Sequence, residues 1–367
     1  SNEAERLTLE AGGFVSRSMS AEARLFAYTA FAQASDEYLD RRLKVALGLN
    51  LVGNTLNARM SNPLPQLSPR LSLSFALTED IDLNANLGRY AMRPSYTLMG
   101  YRASDGSYPN QERLGYIISH QAVLGAEYHP GDYLRFSVEG FYKAYSGYPI
   151  SELEGVSLAS KGTEYGQVGD EAVESTGLGR AYGLELVARL SPWRQLSATA
   201  TYTLFRSEFT DRAGVYRPSS WDTQQMLNLL LSYRLGKSWY LSARWRYIGG
   251  APYTPVDMER STDRAAWALT HRAYPDYARF NTLRLPDKHQ LDLRLDKEFY
   301  FKRWMLNLYV DVQNAYLSGT VNAPVYTNLD PSGRVLAHPT DPSRQQLRQL
   351  DYYSRLVLPT LGLIAKF

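Results

Sequence analysis

The feature that most restricts this chain is a unit of about ten residues in strict apolar and polar alternation, repeated along its length. Leu291, Leu293 and Leu295 alternate with Asp292, Arg294 and Asp296, so one side is wholly apolar and the other wholly charged. Trp304, Leu306, Leu308, Val310 and Val312 repeat the pattern against Asn307, Tyr309, Asp311 and Gln313. Leu134, Phe136, Val138 and Tyr142 interleave with Tyr133, Arg135, Ser137, Glu139 and Lys143, and Trp239, Leu241, Ala243, Trp245 and Tyr247 with Ser242, Arg244 and Arg246. Side chains alternate across a strand, so each unit is a strand with one dry and one polar face. A helix has no use for this period.

The spacing predicts fourteen strands, near 4–13, 22–34, 40–50, 67–78, 81–91, 113–128, 132–146, 178–190, 194–208, 221–235, 238–248, 288–300, 304–316 and 352–367. Tight turns are expected around Ser35-Asp36, Glu79-Asp80, Pro130-Gly131, Ser191-Pro192, Gly236-Lys237 and Phe301-Lys302. They alternate with longer polar loops at 14–21, 51–66, 92–112, 147–177, 209–220, 249–287 and 317–351. A soluble sandwich or propeller also alternates along its strands, but it has no reason to sort short connections from long ones. A transmembrane antiparallel barrel does, with short periplasmic turns opposite long extracellular loops, and its strands need about 9–11 tilted residues. Trp239 and Trp304 each open a strand just after a tight turn on the apolar side, where an interfacial aromatic girdle belongs.

Composition narrows the class further. The chain has 367 residues and no cysteine, which removes thiolate nucleophiles, Cys-based zinc sites and iron–sulfur clusters. A net charge of +3 argues against a polyanion-binding surface, so no nucleic-acid partner is expected. Runs of 18 apolar residues are absent, which excludes a membrane-spanning helix. With 28 Tyr, 12 Phe and 6 Trp in a chain that is polar overall, the balance suits strands facing lipid on one side and water on the other.

Three C-terminal stretches resemble the end of TonB-dependent outer-membrane receptors. They are Leu285-Pro286-Asp287-Lys288-His289-Gln290-Leu291-Asp292-Leu293-Arg294-Leu295-Asp296-Lys297, Leu308-Tyr309-Val310-Asp311-Val312-Gln313-Asn314-Ala315-Tyr316, and Leu358-Pro359-Thr360-Leu361-Gly362-Leu363 to Phe367. Ser68-Pro69-Arg70-Leu71-Ser72-Leu73-Ser74, Gly140-Phe141-Tyr142-Lys143, Gly183-Leu184-Glu185-Leu186 and Gly249-Gly250-Ala251-Pro252-Tyr253-Thr254-Pro255 are similar in a looser way. The resemblance implies an all-β barrel of twenty-two strands around an N-terminal plug, in the outer membrane of a Gram-negative bacterium. Residues 1–367 are then expected to be a partial barrel domain, with the plug and the first barrel strands outside this chain. Such a receptor imports a scarce nutrient of the siderophore, haem, cobalamin or oligosaccharide class. Its implied partners are outer-membrane lipid, the TonB energy-coupling complex acting through the plug, the barrel assembly machinery and the small ligand itself. Phe367 is the implied assembly signal, since an aromatic terminal residue marks strands that this machinery inserts. The alternative is a passive channel of fourteen strands, and a third reading is a soluble carbohydrate-binding β-protein.

No nucleophile with a base, carboxylate pair or metal-ligand spacing stands out, so neither enzyme activity nor a metal or cofactor is expected. His120, His129, His271, His289 and His338 form no i,i+4 pair. The functional surface is therefore expected in the loops and on the inward wall. In the loops, Arg102, Asp105 and Tyr108, then Trp267, His271, Arg272 and Tyr274, mix charge and aromaticity in a way that suits a polar, partly planar ligand. His271 with Tyr274 raises haem as a cargo, because both side chains can ligate haem iron. Arg135, Glu139, Arg244, Arg246, Asp292, Arg294, Asp296 and Asp311 are the expected lumen lining.

Overall fold

The computed structural model describes residues 2–10, 13–161, 170–350 and 353–367. One antiparallel sheet dominates it, with long strands running in sequence order. They are β1 (Ala27–Tyr38), β2 (Leu43–Asn54), β3 (Ser68–Ala76), β4 (Ile81–Met92), β5 (Ile117–Tyr128), β6 (Leu134–Ser151), β7 (Val173–Trp193), β8 (Leu196–Thr210), β9 (Gln225–Arg234), β10 (Trp239–Ile248), β11 (Lys288–Tyr300), β12 (Met305–Gln313) and β13 (Leu358–Lys366). A short strand, Tyr216–Pro218, pairs with the end of β8 and brings the sheet to 14 strands. Among the described residues no helix is long and apolar enough to cross a membrane.

Connections at one end are short, at 39–42, 77–80, 129–133, 194–195, 235–238 and 301–304, and every connection at the other end is long. The expected sorting of turns and loops is therefore present, with local corrections. Ser35-Asp36 is not a turn: β1 runs on to Tyr38, Glu37 pairs with Lys44 across the strands, and the chain reverses at Leu39, Asp40 and Arg41, all at positive φ. Asp and Ser favour turns locally, but continued cross-strand pairing outweighs that preference. Ser191-Pro192 likewise lies inside β7, and the reversal falls at Arg194, with φ 59.

The fourteen strands expected and the fourteen observed are not the same set. Asn2–Glu10 leaves the main sheet and pairs with Gly13–Ala21, the segment expected to be a loop, and that hairpin continues to Tyr101–Arg102. Residues 11 and 12 of the expected 4–13 strand lie outside the described residues. The C-terminal strand is also shorter than expected. It begins at Leu358, while Tyr353–Ser354 pairs with Thr320–Val321 instead; residue 352 lies outside the described residues. Among the described residues, β1 and β13 each pair on one side only, and the Asn2–Ala21 hairpin pairs with neither.

Burial is inverted relative to a water-soluble protein. The buried large apolar side chains, among them Met60, Leu98, Met99, Leu114, Leu158, Trp267 and Phe280, belong to the long loops or the adjoining strand ends. On the strands, Leu47, Leu87, Leu124, Leu184, Leu231, Leu293, Leu308 and Leu361 are exposed. Register puts such residues on one face across the sheet, as in Leu241 opposite Leu295, Leu295 opposite Val310 and Val310 opposite Leu361. An apolar face this continuous exceeds what a soluble monomer leaves in water, whereas a hydrocarbon solvent would cover it.

Candidate functional site

The opposite face is polar, and all eight residues expected to line a lumen fall on it. Arg135, Arg189, Thr199, Leu230, Arg244 and Asp292 form one row across six strands, each opposite the next. Glu139 lies on the same side of β6, Arg294 is opposite Asp311, and Asp296 is opposite Tyr309. Most of these charges pair with one another. Arg244 donates to Asp292 through Nε (3.1 Å) and Nη2 (2.8 Å), and Arg246 Nη2 reaches the same carboxylate at 3.2 Å. Arg294 Nη2 lies 2.7 Å from Asp296 Oδ1 and the guanidinium stacks on Tyr309 at 3.8 Å. The pairing supports a wall whose charges are held in place.

At the long-loop end the candidate binders form two groups. Arg102, Asp105 and Tyr108 share one hairpin tip: the Arg102 guanidinium lies over the Tyr108 ring at 5.8 Å, and its Nε donates to the Gly106 carbonyl at 3.3 Å. Ser107 donates both its hydroxyl (2.6 Å) and its backbone N–H (2.9 Å) to Asp105 Oδ1, which holds that carboxyl below its ordinary pKa. This tip is largely packed on itself. In the second group Trp267 is buried at 5% exposure in the helix Arg264–Thr270, capped by Asp263. His271 is the left-handed residue that ends this helix, and it is exposed, as is Arg272. Tyr274 turns instead to Tyr277 (5.8 Å, edge-on) and Arg260 (5.2 Å).

Sequence reading missed a further patch on the polar face, toward the long-loop end. Arg70, Gly88, Gln121 and Lys143 form one row, and Tyr90, Ser119, Tyr145, Gly179 and Phe209 the next. Arg70 lies over Tyr90 at 4.4 Å, Lys143 over Phe141 at 5.5 Å, and Tyr145 packs on Phe209 at 5.5 Å between ring centroids. Gly179 makes this possible, because a Cβ there would sit 2.3 Å from the Phe209 ring. The patch draws on six strands, and only their register brings it together. The signal in the sequence is the aromatic residue placed on the otherwise polar side of Phe141, Tyr145 and Tyr90.

Buried polar hubs hold the loops above it. Lys161 Nζ lies 2.5 Å from Glu171 Oε1 and also pairs with Glu154, all three nearly inaccessible. Asn110 Nδ2 donates to the Leu98 and Glu171 carbonyls at 3.0 and 2.8 Å, joining loops 93–116 and 152–172. Asp222, fully buried, accepts from Ser207 N–H at 2.7 Å and pairs with Arg206 and Arg284, joining 211–224 to 249–287. Satisfied buried networks of this kind fix loop geometry.

At the short-turn end, Asp82, Glu127 and His129 bring one donor atom each within 4.8 Å of one another, the one such group among the described residues. Asp82 and Glu127 are directly opposite in register. His129 Nε2 bonds Asp82 Oδ2 at 2.9 Å, and Arg135 Nη2 bonds Glu127 Oε2 at 2.6 Å. Glu127 thus already faces a guanidinium and Asp82 an imidazole, and a metal ion would compete with both. Asp82 pushes the His129 imidazole pKa up, through that hydrogen bond first.

Residues 7–315 match the family model described as TonB dependent receptor-like, beta-barrel. The search of curated proteins found no match. Among solved structures, the chain is similar to a mutant of the ferric enterobactin receptor of Pseudomonas aeruginosa (TM-score 0.58, 18% identity), covering 96% of this chain and 46% of that one. It is also similar to the ferric-catecholate import receptor Fiu of E. coli K12 (TM-score 0.57, 12% identity, 97% and 47%). The ferripyoverdine receptor of P. aeruginosa gives 0.57 and 17%, with 96% and 39% covered. The chain spans less than half the length of each. These likenesses show the fold, and the family is one of outer-membrane receptors and transporters, which disfavours the passive-channel alternative and is not a family of enzymes. With its one-sided apolar wall, its sorted connections and the family match over residues 7–315, the chain belongs to the TonB-dependent receptor β-barrel family.

Proposed function

We propose that this chain supplies barrel wall and extracellular loops to an importer of ferric siderophores. The observation that carries the reading is the patch in which Arg70 and Lys143 stand among Tyr90, Phe141, Tyr145 and Phe209 on the polar face below the loops. A ferric tris-catecholate is an anion whose chelating groups are flat and aromatic. Guanidinium and ammonium groups match its charge, and aromatic faces match its surface. The neighbours named as ferric enterobactin, ferric-catecholate and ferripyoverdine receptors support the same class over haem, cobalamin or oligosaccharide. In this reading the long loops face outward, with Arg102, Asp105, Tyr108, His271 and Tyr274 on the capture surface and Trp267 bracing it. The paired lumen charges hold the wall, and energy reaches the ligand from TonB through a plug outside this chain. Phe367, stacked near Trp304 at 6.1 Å, serves the assembly machinery.

The test is binding of a ferric tris-catecholate to the full gene product, followed by iron-limited growth on the same chelate. Arg70→Ala and Lys143→Ala should each weaken binding by about tenfold, the worth of one charge-assisted contact. Unchanged affinity in both variants, or no affinity in the parent for any ferric chelate, would overturn the reading.

A further inference from the structure

On the apolar face, Leu124, Gly140, Leu184 and Leu204 lie side by side across β5 to β8. Three of these four positions project leucine and the fourth projects nothing: a Cβ built on Gly140 meets no atom within 4 Å. The gap opens a trough of about 850 Å³, walled by those leucines and by Tyr142 and Tyr182, whose rings stack at 6.2 Å. A second hollow of about 520 Å³, lined by Tyr128, Phe136, Val138 and Leu186, lies on the same face toward the short turns.

Charge sits at one end of the trough, the end nearer the long loops. Arg206 is in line with Tyr142 and Tyr182, and the next row holds Arg89, His120 and Arg180. Arg180 and Arg206 share Glu208 (2.8 and 3.1 Å), while Arg206 and Arg284 share Asp222. Three guanidinium groups thus face two carboxylates and leave one positive charge over. Arg89 adds another, since its guanidinium donates to the Leu67 and Pro65 carbonyls. An apolar trough that ends beneath surplus cations is complementary to an amphiphile with acyl chains and an anionic head.

We propose that this trough is the seat of one outer-leaflet lipid, a phosphorylated glycolipid of the lipid A type. An acyl chain occupies the gap over Gly140 and a phosphate meets the Arg180 and Arg206 side. The assignment rests on the outward placement of the long loops, which puts the cationic end at the outer leaflet. The seat is separate from the ferric-chelate patch, which lies on the opposite face of the same strands.

The full gene product, extracted from outer membranes in mild detergent, is examined by native mass spectrometry, with Gly140→Leu as the principal variant. Leucine enters open space, so the strand is undisturbed while the gap closes. Displacing about two buried methylenes, each worth roughly a factor of four, predicts about a fifteenfold loss of retained lipid A. Arg180→Gln should reduce the preference for bisphosphorylated over monophosphorylated lipid A, and Leu361→Ala, distant on the same face, should retain lipid like the parent. Equal retention by parent and Gly140→Leu, or retention of a phospholipid in place of the glycolipid, overturns the proposal. Failure of the membrane reading itself would register separately, as parent protein missing from the outer-membrane fraction.

Discussion

Replacing Leu293 with arginine tests the two-faced sheet most directly, because its cost depends on depth in the bilayer. Lys297, four residues along β11, fixes the scale: its Nζ donates to Ser238 Oγ at 2.7 Å in the short turn 235–238, which marks the water-facing edge. Four residues at about 3.4 Å each give roughly 13 Å along the strand, or about 10 Å of depth at a tilt near 40°. The apolar band of such barrels is about 25 Å tall, so Leu293 falls close to its midplane and Leu293→Arg should cost ~2–4 kcal/mol. Leu308 is opposite Lys297 in register, so it sits at the depth where the protein already holds a cation. Leu308→Arg should cost only ~0–1 kcal/mol, since the penalty fades toward the interface. Reversible urea unfolding in lipid vesicles, followed by tryptophan fluorescence, measures both. A Leu293→Arg variant within about 0.5 kcal/mol of the parent, or equal losses in the two variants, would refute the assignment of this face to hydrocarbon.

Three further outcomes follow from the geometry. His129 has its pKa raised above 6.5, chiefly by Asp82, so the stabilisation it brings is complete below pH 6.5 and lost as pH rises through the higher folded-state value; NMR titration of the imidazole should show the raised value, and Asp82→Asn should lower it. Lys161→Met removes the buried ammonium that pairs with Glu154 and Glu171, which should cost about 3–5 kcal/mol locally and appear as faster hydrogen exchange in loops 93–116 and 152–172 with β9 to β12 unaffected. Deleting Phe367 in the full gene product should lower outer-membrane levels sharply with synthesis intact, and wild-type levels on a quantitative blot would remove it as an assembly signal.

The sequence by itself determined the strands and their faces. Alternation is a local property, so Leu291 to Asp296 declares its two sides before any partner is known, and the register then sets all eight expected wall charges on one face. It also separated short turns from long loops, since Gly, Pro and polar runs act over a few residues. Tertiary structure decided what depends on partners. Ser35 and Asp36 read as a turn until Glu37 meets Lys44, and Asn2–Glu10 read as a wall strand until it pairs with Gly13–Ala21. Trp267 looked available to a ligand, but the packing of its loop buries it. The patch of Arg70, Lys143, Tyr90 and Phe209 joins residues up to 139 positions apart in the chain, a proximity that only cross-strand register creates. Gly140 showed the same limit: in the sequence it is one small residue in a strand, and it becomes a gap only when Leu124 and Leu184 stand on either side of it.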